Sequence, residues 1–228
     1  MAARRLRCWR IACWSGSVRM SPRDIDRFFR TLSQEFPGAA TIILTGASAG
    51  SLWGHIRPSQ DIDFGVQLDD AHPANWERFQ AAVDRTVRRT SFQVNYAEDL
   101  DRWGGLTLLD YRLHTASYRR IGQLNIRLLD PAYWSIGKLG RYFDLDVDDV
   151  VRVFRRQRVP AAAAIRVWGR ALRASPRSMA VNQFRLQIEH FLQTYGRAIW
   201  GRRFDPADSM RRFHRTAGLR GDMFSQKN

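Results

Sequence analysis

A chain of 228 residues has room for one full domain, or one domain with a small helical appendage. Its 44% hydrophobic content supports an ordinary core, and no apolar run approaches the ~18–20 residues of a membrane span, which argues against a membrane protein. The formal charge of +15 favours polyanionic partners such as RNA, DNA or nucleotides. That charge is unevenly spread: residues 1–23 hold no Asp or Glu, and beyond Val150 the acids are Glu189, Asp205, Asp208 and Asp222 among many arginines. Lysine occurs only at Lys138 and Lys227, which reads more readily as coding bias than as selection of arginine for phosphate contacts. Cys8 and Cys13 form no zinc pattern, and their scarcity fits a reducing, cytoplasmic setting.

In chain order, residues 1–20 read as a basic, disordered extension, with Met20 as the expected true start. Ser21 then caps a helix whose apolar face is Ile25, Phe28, Phe29 and Leu32, ended by Pro37-Gly38. "ATIILT" is a buried strand, and the Gly46 loop after it opens a helix through Leu52. "DIDFGVQL" alternates as a second strand, "PANWERFQAAVDRTVRR" is an amphipathic helix, and "SFQVNY" is a third strand. Between Glu98 and Arg120 only "GLTLLDYRL" suggests a strand; "QLNIRLLD" is the next, followed by helices from Pro131 and Asp146. From Pro160 the pattern is helical, and after Phe204 a loose polar tail is expected. Strands interleaved with helices, then helices alone, predict an α/β or α+β core over 21–150, a helical region over 151–204 and a tail over 205–228.

Two motifs carry chemistry. Gly46-Ala47-Ser48-Ala49-Gly50 matches G-x-S-x-G, the strand-to-helix elbow of many serine hydrolases, and is equally a small-residue loop able to close around phosphates. Asp61 and Asp63 stand two apart on a strand, so both carboxylates face one side. Carboxylates so close repel unless a cation lies between them, and Mg²⁺ bridging to nucleotide phosphates is the natural one.

Strand, Gly loop, helix and D-I-D together resemble the nucleotidyltransferase superfamily that includes DNA polymerase β. Its pattern is G-[G/S], roughly a dozen residues, then D-h-[D/E]-h. Here Gly46-Ala47, thirteen intervening residues and Asp61-Ile62-Asp63-Phe64 fit the spacing. A second block, "LLDPAYWSIGKLGRYFDLDVDDV", is similar to one in uncharacterised bacterial nucleotidyltransferase-like proteins and, more distantly, in AbiEii-type toxins.

The resemblance implies a nucleotidyltransferase fold, a mixed sheet flanked by helices with a helical C-terminal region. It implies Mg²⁺-dependent transfer of a nucleoside monophosphate from an NTP to a hydroxyl on RNA (tRNA included) or protein, in a toxin-type enzyme with an antitoxin partner. Asp61 and Asp63 would hold Mg²⁺, with Gly46, Ala47 and Ser48 around the phosphates. Arg57, Lys138 and Arg141 would pair with the triphosphate, although Arg57 is as readily a partner of Asp61 or Asp63. The superfamily's third carboxylate is expected at Glu98, with Asp110 as its rival, because the middle of that strand holds Asn95 instead. Asp144, Asp146, Asp148 and Asp149 read as capping charge on the next helix.

Two other classes remain. A catalytically inactive protein of this fold would bind nucleotide or RNA, using the arginine-rich helices beyond Val150. The aromatics there, Trp168, Phe184, Phe191, Tyr195 and Trp200, read as core rather than as a base-stacking surface. A serine hydrolase would make Ser48 the nucleophile, but neither a patatin-like Asp-Gly dipeptide nor a recognisable His motif accompanies it.

Overall fold

A computed structural model describes residues 20–54 and 60–219. The chain forms two units by internal packing. The first comprises residues up to Leu100 with Arg112–Leu129; the second comprises Asp101–Tyr111 and residues from Asp130 onward. Within the described residues no helix is long and apolar enough to cross a membrane.

The first unit begins with α1 (Pro22–Glu35). Ser21 and Asp24 close a reciprocal capping box at its start, with Pro22 where a missing N–H costs nothing. Strand β1 (Ala40–Leu44) leads into α2 (Gly46–Gly54), then β2 (Asp61–Leu68), α3 (Pro73–Thr90) and β3 (Gln93–Ala97). After the excursion into the second unit, β6 (Thr115–Ile121) and β7 (Leu124–Leu129) form a hairpin over Gly122-Gln123, with Gly122 at φ 56°. The five strands make a mixed sheet in the order β3-β2-β1-β7-β6. β1 runs antiparallel to β2 and parallel to β7, and β2 runs parallel to β3.

The period of two along β2 divides labour between the sheet's faces. Ile62, Phe64 and Val66 are buried on one face, while Asp61 and Asp63 point to the other. Phe64 lies against Phe28 and Phe29 of α1 and stacks on Tyr96 of β3, which meets Phe79 of α3 edge-on. Burying each such ring contributes ~1.5–3 kcal/mol, so this aromatic layer anchors the strand that carries the two acids.

The second unit pairs the short strands β4 (Arg102–Trp103) and β5 (Leu106–Thr107) with five helices. These are α4 (Pro131–Arg141), α5 (Asp144–Arg156), α6 (Ala161–Ala174), α7 (Met179–Trp200) and α8 (Pro206–Ala217). Trp168 is fully buried, stacked on Phe154 and edge-on to Phe191, with its indole N–H donated to Ser135 Oγ at 2.9 Å.

Several expectations change. The helical unit begins at Asp130, ahead of the boundary at 150. "GLTLLDYRL" is strand only at Leu106–Thr107, and β6 lies in the stretch that resisted reading. The expected loose tail contains α8, capped by Asp205 and closed by Gly218 at φ 71°. Of residues 1–20, only Met20 lies within the described residues, and it is buried.

Candidate functional site

The sheet face opposite the aromatic layer carries the candidate site. Parallel pairing sets Asp61 opposite Gln93 and Asp63 opposite Asn95. Asn95 Nδ2 donates to Asp61 Oδ2 at 2.7 Å and to Asp63 Oδ1 at 3.1 Å, so one neutral amide bridges both carboxylates. All three side chains are half-buried. Those two donated hydrogen bonds partly offset the repulsion between the acids.

Directly beside them the chain turns from β1 into α2. The Thr45 N–H donates to the Asp63 carbonyl at 2.9 Å, extending the β1–β2 ladder by one bond. Gly46 then takes φ 60°, and a Cβ at Gly46 would overlap Asp63 Oδ2. Glycine is required here twice over, for the left-handed backbone and for the close approach of the carboxylate. Asp63 thus sits against the first residue of α2, where the partial positive charge of a helix N-terminus favours an anion.

The Ser48 side chain is 0% exposed, and its hydroxyl donates to the Thr45 carbonyl at 2.9 Å. A hydrolase elbow presents its serine outward; here the serine is turned into the first turn of α2 and locks that turn in place. Neither a nucleophile nor a phosphate-clamping hydroxyl is on offer at Ser48. The half-buried residue of that turn is Ala47.

The remaining expected site residues fall in other places. Arg57 lies outside the described residues. Glu98 is exposed just past the end of β3, three residues on from Asn95, or ~10 Å at the rise of a strand. Its neighbour Asp99 pairs with Arg112 at 2.9 Å. Asp110 belongs to the second unit and pairs there with Arg170 of α6 at 2.7 Å. The position facing Asp63 on the next strand is therefore held by an amide, and among the described residues no group of three His, Cys, Asp or Glu side chains is placed to hold a metal ion.

Lys138, in the second unit, is 2% exposed; its ammonium donates to Asp146 Oδ1 at 2.9 Å and Asp149 Oδ2 at 2.7 Å. Arg141 adds a bidentate contact to Asp146 at 2.9 and 3.0 Å. Burial acts to raise the Asp146 carboxyl, but the hydrogen bonds from Arg141 and Lys138 outweigh it and hold the group below the ordinary carboxylate range. Lys138 and Arg141 therefore tie α4 to α5 in this structure, and two of the four acids expected as capping charge, Asp146 and Asp149, are buried counter-ions.

Two residues on the acids' sheet face were not among the expected site residues. Asn95 was legible as a gap in the carboxylate set, but its bridging role depends on strand register. Arg127 of β7 shares that face, where its guanidinium is fixed to Thr115 Oγ1 at 2.6 Å and Thr115 O at 2.9 Å.

Asp61, Asp63 and a rotated Asn95 carboxamide would offer three hard oxygen donors. That set suits a cation such as Mg²⁺, which binds through one or two carboxylates, water and substrate phosphates. Comparison with family models finds none that matches, and comparisons with curated proteins and with solved structures find no significant match.

Proposed function

We propose that the protein is a Mg²⁺-dependent nucleotidyltransferase that moves a nucleoside monophosphate from an NTP to a hydroxyl on RNA or protein, with pyrophosphate leaving. One observation carries this reading: Gly46 at φ 60° is packed against Asp63, at the head of a helix, beside a second acid on the same strand face. A glycine turn at a helix N-terminus lets backbone N–H groups approach phosphates, and adjacent acids hold the cation that neutralises them. Asp61 and Asp63 would be the metal-holding residues, with Asn95 as a neutral third donor. Bound Mg²⁺ would supply charge neutralisation at the triphosphate. The turn from Gly46 orients the phosphates through its backbone, and Ser48 supports it from beneath. The superfamily resemblance of the Gly46 and D-I-D blocks supports the same assignment, and with it the DNA polymerase β-like fold as the name for this mixed sheet.

A second reading is favoured by Asn95 itself. An amide cannot accept a proton from an acceptor hydroxyl as a carboxylate can, so a protein with this site would bind Mg²⁺–NTP without turning it over.

The test uses ATP, CTP, GTP and UTP radiolabelled at the α-phosphate, each with Mg²⁺ and total bacterial RNA. Label should appear on RNA or protein with the wild type and with Ser48→Ala, and disappear with Asp61→Asn/Asp63→Asn. Retained Mg²⁺-dependent NTP binding without label would select the second reading. Loss of both in the wild type would sink the two together.

A further inference from the structure

The helical unit carries a cationic surface that the nucleotide site does not use. The last turn of α5 and the turn after it hold Arg155, Arg156 and Arg158, the last at φ 50°; the last turn of α7 and the turn after it hold Arg197, Arg202 and Arg203. The Trp200 indole N–H donates to the Val159 carbonyl at 2.8 Å, and Trp200 packs against Phe154 at 6.3 Å and Phe204 at 4.8 Å. That indole joins the two turns, so both arginine-bearing segments, with all six arginines exposed, lie at the same end of the unit.

None of the six forms an ion pair among the described residues; the same holds for Arg152, Arg166, Arg173, Arg177 and Arg215 of this unit, whereas Arg141, Arg170, Arg185, Arg211 and Arg212 find carboxylates, so what sets the six apart is their place on the two turns that Trp200 joins. The acids nearest in sequence are already engaged. Asp205 accepts the N–H groups of Ala207 and Asp208, and Asp208 pairs with Arg211 and Arg212. A coding bias toward arginine raises the residue's frequency everywhere; the bond from Trp200 to Val159 is what brings these two arginine-bearing turns together. Keeping like charges together without counter-ions costs stability, which an anionic partner would offset.

We propose that this end of the helical unit binds the phosphodiester backbone of RNA. Guanidinium forks match phosphate oxygens in pairs, which suits a repeating phosphate chain. A membrane-seated surface would add apolar side chains to enter the lipid, yet neither turn carries an exposed large hydrophobic residue. The choice of RNA over DNA rests on the proposed transfer to a hydroxyl; the surface itself is independent of Asp61 and Asp63.

The experiment measures binding of a fluorescein-labelled single-stranded RNA to the full chain by anisotropy over a salt series. Arg155→Gln/Arg156→Gln/Arg158→Gln and Arg197→Gln/Arg202→Gln/Arg203→Gln are compared with a control triple, Arg173→Gln/Arg177→Gln/Arg215→Gln. The control removes the same charge from other parts of the unit. Each turn triple should weaken binding ~10-fold or more at ~0.1 M salt and flatten the log–log salt slope by ~2, at ~0.7 per lost phosphate contact. The control should stay near wild type. Thermal melting checks that all three triples fold, and lysine in place of glutamine on either turn should restore most of the slope. Asp61→Asn/Asp63→Asn should bind RNA as the wild type does, so a failed transfer reaction and a failed RNA surface give different results. Equal losses in the control would overturn the proposal. So would tighter binding to duplex DNA, to phosphatidylserine vesicles or to polyglutamate than to RNA.

Discussion

Gly46 is where one atom decides the most. With φ 60° and the Asp63 carboxylate where a Cβ would be, Gly46→Ala must both strain the backbone and displace an acid. The substitution should cost ~2 kcal/mol or more and abolish Mg²⁺–NTP binding, as thermal unfolding and calorimetric titration would show. Asn95 offers the converse test. Asn95→Asp would place three carboxylates on one face, so the variant should unfold at a lower temperature than wild type without metal. Mg²⁺ should then raise its melting midpoint by more than it raises that of the wild type. A variant whose midpoint ignored Mg²⁺ would remove the cation from the proposed site. Ser48→Ala should lose about 1 kcal/mol for its single buried hydrogen bond and leave nucleotide affinity unchanged.

Between elements, the strongest electrostatic tie is the buried cluster joining α4 to α5. Lys138→Met leaves Asp146 and Asp149 as buried acids without their ammonium partner and should cost ~3–5 kcal/mol. Lys138→Met/Asp149→Asn should cost less than the single change, because one of the stranded charges goes with it; chemical denaturation of the two variants decides this. Since the folded Asp146 carboxyl lies below its ordinary range, its contribution is present above the unfolded carboxylate pKa. It is lost as pH falls through the lower folded value. The wild type should therefore lose melting temperature below pH ~4 more steeply than Asp146→Asn, compared over the same acid range. Element boundaries were legible where the periods were clean, as in β2 and α1, and failed where they were not. β6 is a partly exposed edge strand with a bulge between Ser117 and Arg119, so no alternation reaches the sequence. α8 carries its Asp-Pro start and Gly stop in plain view, but buries only Ser209, Phe213 and Ala217, and its polar remainder masks the spacing.

For the molecule as a whole, the pairing of strands explains why only part of the candidate site's geometry was legible in the sequence. Asp61 and Asp63 share a face by the period of a single strand, which is local information. That Asn95 meets them depends on which residue of β3 lies beside Asp63, and that Lys138 is buried depends on how α4 meets α5. Neither relation has a local signature. The same long-range pairing has a consequence for how the protein comes into being. The centre of the sheet is β1 against β7, strands separated by some eighty residues of chain, and between them Asp101–Tyr111 departs to join the second unit. On the ribosome, β1 therefore emerges with one neighbour missing and waits, its open side available to other chains, until Leu129 has been synthesised. The departing segment waits longer still, for helices not yet translated. The nascent protein begins its second unit before its first is finished, so a chain stalled before β7 is made leaves an unpaired central strand rather than a smaller working domain.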